Sequence, residues 1–156
     1  MTTDDAPAHS PVPSRASASR PAGSAPVRRR LALVTLVVPD YDEAIAFFTD
    51  VLDFSLREDT ALGDGKRWVI VAPGSGEGDG ALLLARAATP RQSAAIGEQT
   101  GGRVGFFLET SNFEADHARF AGRGLVFVEA PRVEPYGIVA KFTDPFGNLW
   151  DLIERR

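Results

Sequence analysis

The chain contains no cysteine. Disulfides, thiolate metal sites, cysteine nucleophiles and iron–sulfur clusters are excluded together, and the absence fits a reducing cytoplasm. Histidine is scarce as well: only His9 and His117 carry an imidazole. Positive charge is not in excess. A formal net charge of -4 and a pI near 5.2 argue against nucleic acid or an anionic membrane as the main partner. No apolar run approaches the length of a membrane span. Arg28-Arg29-Arg30 followed by LALVTLVV has the charged and apolar parts of a signal peptide, but no small-residue cleavage site follows. Pro39, Asp40, Asp42 and Glu43 come at once instead, so a buried strand explains the run better.

What is present is ordinary for a soluble globular protein: 44% apolar and 24% charged residues, at a length that suggests one domain able to bury its own core. Residues 1–27 are mostly Ala, Pro and Ser without an apolar period, and are expected to be disordered. His9 lies there, which removes it as a ligand or base. The domain is expected over 28–156, as a first module at 31–88, a linker at 89–102 and a second module at 103–154.

LALVTLVV reads as the first strand. Asp40 or Asp42 can cap a helix whose apolar stripe runs Tyr41, Ile45, Phe48, Leu52. A short strand near Phe54 to Arg57, a turn at Gly63-Asp64-Gly65, and strands over Lys66 to Ala72 and Ala81 to Ala85 complete the first module. The glycine-rich PGSGEGDG lacks the Lys-Ser/Thr ending and the following helix of a phosphate loop, and reads as a hairpin loop. A short helix near Gln92 to Ile96 marks the linker. RVGFFLET then restarts the pattern: Asn112 caps a helix with the stripe Phe113, His117, Phe120, and LVFVEAP, GIVAKFT and LWDLIE follow as strands. The order is strand–helix–three strands, written twice, and each half needs the other to cover its sheet. Aligning Asp40-Tyr41 with Asn112-Phe113 sets His117 over a core isoleucine, Ile45, so it reads as a packing histidine.

The last hairpin, Lys141 to Glu154, turns at Asp144-Pro145-Phe146-Gly147-Asn148, where Pro145 fixes φ and Gly147 can take φ > 0. Alternation then puts Trp150 and Leu152 on one face and Leu149, Asp151 and Ile153 on the other. Asp151 is a carboxylate in mid-strand among apolar residues. If that face is buried it needs a partner, a metal or a ligand; on an edge strand it would sit in water.

Three stretches carry a resemblance: VTLVVPDYDEAIAFFTDVLDF (Val34 to Phe54), RVGFFLETSNFEADHARFAGRG (Arg103 to Gly124) and PYGIVAKFTDPFGNLWDLIE (Pro135 to Glu154). The duplicated order built on them resembles the vicinal oxygen chelate superfamily, which includes glyoxalase I, bleomycin resistance proteins, fosfomycin resistance enzymes and extradiol dioxygenases. The resemblance implies an α+β fold of two βαβββ modules, whose mixed sheets form a half-barrel around a cavity, and a homodimer. It also implies a divalent ion held by a His on the first strand, a His opening the fifth and a Glu on the last. Those positions are Leu33, Arg103 and Asp151 here. One carboxylate does not make a zinc or iron site, so no metal and no other cofactor is expected. The chain reads LDF where the family commonly has LGF, which puts Asp53 at a position suited to a left-handed turn.

Arg103 and Asp151 replace two positions that converge on one ion in the relatives, so a guanidinium–carboxylate pair is expected as the polar floor of the cavity; the alternative is an Arg103 reaching solvent at a strand end. Leu33 and Thr35 on the first strand, Phe107 and Glu109 on the fifth, and Trp68 and Tyr136 as stacking aromatics complete the candidate ligand-binding set with Arg103 and Asp151. Lys141 receives no role, because its face depends on the hairpin register. The expected function is cytoplasmic binding of a small organic molecule without a metal. The alternatives are an enzyme of the same superfamily (lyase, isomerase or dioxygenase) with an atypical metal or carboxylate site, and an interaction module without a pocket.

Overall fold

β-branched and leucine side chains at residues 33–38 leave the chain few choices but an extended, two-sided strand, and β1 (Leu33–Val38) forms there. The computed structural model describes residues 29–74, 76 and 80–156. The expected disordered tail, with His9, lies outside the described residues, as does part of the glycine-rich stretch. Leu31–Arg156 form one compact unit.

Asp40 ends β1 and caps α1 (Tyr41–Ala46), its Oδ1 accepting from the amides of Asp42 at 2.9 Å and Glu43 at 3.0 Å. The helix widens into a π turn over Phe47–Val51, with Tyr41, Ala44 and Phe48 buried and Ile45 only half-buried. Asp53 then takes the expected left-handed conformation, φ 57°. Its carboxylate pairs with Arg119, at 2.9 Å, and with Arg123 on the far module. β2 (Ser55–Gly63), β3 (Lys66–Ala72) and β4 (Ala81–Arg86) complete a four-stranded sheet ordered β1-β4-β3-β2, with β1 parallel to β4. β2 is longer than the expected Phe54 to Arg57, because its exposed residues are held by pairing with β3 rather than by burial.

α2 (Pro90–Ala95) starts the linker. The Gln99 carboxamide then pairs with the outer edge of β1, accepting from Val37 N at 2.6 Å and donating to Thr35 O at 3.1 Å. The second module runs β5 (Val104–Glu109), α3 (Phe113–Gly122), β6 (Val126–Phe127), β7 (Arg132–Glu134), β8 (Gly137–Thr143) and β9 (Leu149–Arg155). Its sheet is ordered β5-β9-β8-β6, with β7 also on β8. The strand expected over LVFVEAP is thus broken. Val126 and Phe127 pair in β6, Val128 N adds one bond to Lys141 O at 2.9 Å, and the chain rejoins β8 as β7 after Pro131, which has no N–H to offer. Both sheets are mixed, neither closes into a barrel, and among the described residues no helix is long and apolar enough to cross a membrane.

One core joins the modules on the helix-bearing faces of both sheets. Trp150 stands at its centre: stacked on Phe106 at 4.4 Å and on Phe142 at 5.7 Å, it also meets Phe48 at 5.9 Å and Phe54 at 6.4 Å from the first module. Asp144, 3% exposed, fastens the hairpin beside it. Its carboxylate accepts from Phe146 N (3.0 Å), Asn148 N (2.9 Å), Asn148 Nδ2 (2.8 Å) and Trp150 Nε1 (3.2 Å). Replacing Asp144 by Ala strands these buried donors and is expected to cost about 3 kcal/mol. Urea unfolding followed by tryptophan fluorescence measures it; a loss under about 1 kcal/mol would mean the backbone geometry alone holds the turn.

Candidate functional site

The register of β9 decides which side chains face away from the core. Trp150 and Leu152 turn toward the aromatic core, so Leu149, Asp151 and Ile153 share the opposite face with Val139, where Val139, Asp151 and Ile153 are also buried. Across the parallel pair Phe107 stands opposite Asp151, and across the antiparallel pair Lys141 does. Glu129, just after β6, closes the row, its Oε2 3.7 Å from Lys141 Nζ. Phe107, Asp151 and Lys141 therefore lie in one line across the sheet, and the Glu129 side chain reaches Lys141 from the segment after β6.

Most of the charge in this row is spoken for. Glu129 pairs with Arg132 as well as with Lys141, and Arg132 Nε lies 2.9 Å from Glu134 Oε1. Asp151 is the exception. It is 8% exposed, and its buried Oδ1 has no hydrogen-bond partner. Burial raises its carboxyl above the ordinary carboxylate range, against the lowering pull first of Lys141 and then of Arg132, while Glu129 adds to the rise.

Beside the row lies an apolar cleft of about 370 Å³. Val34 and Leu82 line it from the first sheet, and Phe106, Phe107 and Trp150 from the second, with Phe54 between. Phe107, 65% exposed, belongs both to the cleft and to the row. A larger groove of about 460 Å³ around Glu109, Thr110 and Arg155 is polar and contains no orphaned group; Arg155 Nε stands 3.4 Å from Glu109 Oε2 there.

The sequence-predicted residues fall into separate places. Phe107 and Asp151 are neighbours. Tyr136, 52% exposed in the turn between β7 and β8, lies beside Arg132. Glu109 ends β5 next to Arg155. Leu33 and Thr35 share the open face of β1, and Trp68, half-buried on β3, stands on the same open face of that first sheet with Ile70 and Leu83.

Arg103 does not meet Asp151 within the chain. A bulge at Gly105 inserts one residue, so Val104 pairs with Leu149 while Phe106 pairs with Trp150. Arg103 is left exposed in the bend before β5, and no ion pair joins it to Asp151. Glycine is needed at the bulge because a Cβ there would come within 2.5 Å of Thr100 Cγ2. Lys141 and Arg132 supply the positive charge instead. Lys141 shares the face of Asp151 because the turn spans five residues, closed by Asp144 N donating to Asn148 O at 3.1 Å. His117 packs between Phe113 and Phe127, at ring distances of 5.5 and 4.0 Å, and plays no part here.

Comparison with known proteins gives this geometry a family. The Glyoxalase/Bleomycin resistance protein/Dioxygenase superfamily matches residues 30–152. The chain belongs to that superfamily. An uncharacterised protein of Shewanella frigidimarina is 46% identical over 129 residues, covering 82% of this chain and 95% of its own. The crystal structure of UcmS2 has a TM-score of 0.70 at 30% identity, covering 81% of this chain and 98% of UcmS2. TnmS3, an antibiotic binding protein from Streptomyces sp. CB03234, has a TM-score of 0.67 at 29% identity, covering 83% of this chain and 98% of its own.

The positions that the resemblance implies for a divalent ion are Leu33, Arg103 and Asp151, and these side chains do not make up a ligand set. Asp151 is a single oxygen donor with an ammonium directly across the strand, and among the described residues no three His, Asp or Glu side chains gather to hold an ion.

An orphaned buried carboxylate is costly in the folded chain. Asp151→Leu is therefore expected to stabilise it by about 1–2 kcal/mol near neutral pH. The sign follows from the raised carboxyl. As pH rises through the ordinary carboxylate range, near ~4, the unfolded chain loses its proton first, and wild-type stability falls until the folded carboxyl also titrates. Melting curves of both proteins across this range test it: the variant's advantage should grow with pH and then level off. An advantage that shrinks would show Asp151 to be satisfied in the fold.

Proposed function

We propose that this chain is a metal-independent small-molecule-binding protein. An apolar organic compound lies against Phe107 and in the adjoining cleft, and Asp151 accepts a hydrogen bond from it. The observation that carries the reading is Asp151 itself: a buried carboxylate with one oxygen unsatisfied, whose register neighbour Phe107 is a wall of an apolar cleft of about 370 Å³. Similarity to an antibiotic binding protein, TnmS3, supports it. Leu33, Thr35, Trp68, Tyr136, Glu109 and Arg103 do not line this cleft and have no part in the proposed site. The chain acts as a homodimer in the cytoplasm, which brings a second copy's open face toward the site.

An enzymatic reading draws on the same raised carboxyl, since a desolvated Asp151 has the character of a general base. Binding without turnover favours the first reading; conversion of a bound compound favours the second.

A thermal-shift screen over antibiotics and aromatic metabolites is the direct test. A ligand at 100-fold its Kd adds about 2.7 kcal/mol, a rise of several degrees. EDTA or added zinc should leave that rise unchanged. A shift that requires the metal, or stoichiometric divalent ion in the purified protein, would contradict the proposal. Sedimentation velocity tests the homodimer separately.

A further inference from the structure

We infer that the row Phe107–Asp151–Lys141 selects an apolar ring bearing a neutral hydrogen-bond donor, a hydroxyl or an N–H, and rejects a cation at the same place. The inference rests on the binding function proposed above and adds the chemical class of the ligand.

The ion pairs across the row leave one position open. Glu129 is committed to Arg132 and Lys141, and Glu134 to Arg132, whereas Asp151 Oδ1 has no partner. What the site lacks is one donor, aimed at a group that is 8% exposed. Phe107, which is both the register neighbour of Asp151 and a wall of the cleft, sets where the rest of the ligand lies. A donor that reaches Asp151 is therefore carried on an apolar body resting on an aromatic face.

Charge decides what kind of donor is accepted. An ammonium would meet Asp151, but it would also stand beside Lys141, the directly opposed residue, with Arg132 next to it. It would lose its hydration against the apolar wall as well, a far larger cost than desolvating a hydroxyl. An anion brings no proton for Asp151 Oδ1 and is repelled by its carboxylate. A neutral donor satisfies Asp151 without adding a charge, and Lys141 keeps its pairing with Glu129.

Four naphthalenes that share one ring system and differ at one substituent test this by calorimetry at pH 7: 2-naphthol, 2-methoxynaphthalene, 2-naphthylmethylammonium and 2-naphthoate. Wild type is expected to bind 2-naphthol about tenfold more tightly than the methyl ether, the value of one hydrogen bond to a charged acceptor, and to bind both ions more weakly still. Asp151→Leu should level 2-naphthol with the methyl ether while retaining both. Lys141→Met should strengthen binding of the ammonium several-fold relative to the methyl ether. An ammonium that binds wild type as tightly as 2-naphthol, or a hydroxyl preference that survives Asp151→Leu, would overturn the inference while leaving a binding site in place. No binding by any of the four would instead remove the binding reading, and the inference with it.

Discussion

Two adjacent residues of β9 are drawn to opposite faces of one sheet, and the rest of the molecule depends on that divergence. Trp150 is gripped by aromatic rings from both modules, and its indole N–H is bound by the buried carboxylate of Asp144. With Trp150 held inward, a strand of period two leaves Asp151 no choice but the opposite face. A slip of one residue would put the carboxylate into the aromatic core and the indole outside it. The same stack that joins the modules thus holds the site residue in place.

The position so created is expensive and is kept unpaid by the fold. Neighbouring charges are absorbed into a chain of ion pairs from Glu134 through Arg132 and Glu129 to Lys141, yet none donates to Asp151 Oδ1. A lysine ammonium, Lys141, stands directly across the strand pair from Asp151. Lys141 and Arg132 put positive charge beside Asp151 without donating to its Oδ1.

The two-module fold was legible because its signals are local. A capped apolar stripe follows each leading strand, and the Asp144 to Asn148 turn carries its own chemistry. The inward and outward residues of β9 could be assigned by alternation alone. Other features lay beyond local reading. β2 is held by pairing while its side chains stay exposed, so no apolar pattern marks its length. The bulge at Gly105 shifts the register between Val104 and Phe106, and no apolar pattern announces it. Lys141 came to face Asp151 through the count of residues in the turn, and Arg132 through a short strand set between two prolines. Faces can be read within one strand; who stands opposite on the next strand depends on bulges and loop lengths.

A carboxyl-carbon NMR titration of Asp151, in the free protein and with 2-naphthol bound, tests the central claim most directly. The account predicts a free carboxyl that titrates above the ordinary carboxylate range, and a fall when the hydroxyl donates to it, because that bond favours the charged form. A free carboxyl at or below the ordinary range would show that Asp151 already has its partner, and would contradict the reading of this row as a place kept for a ligand.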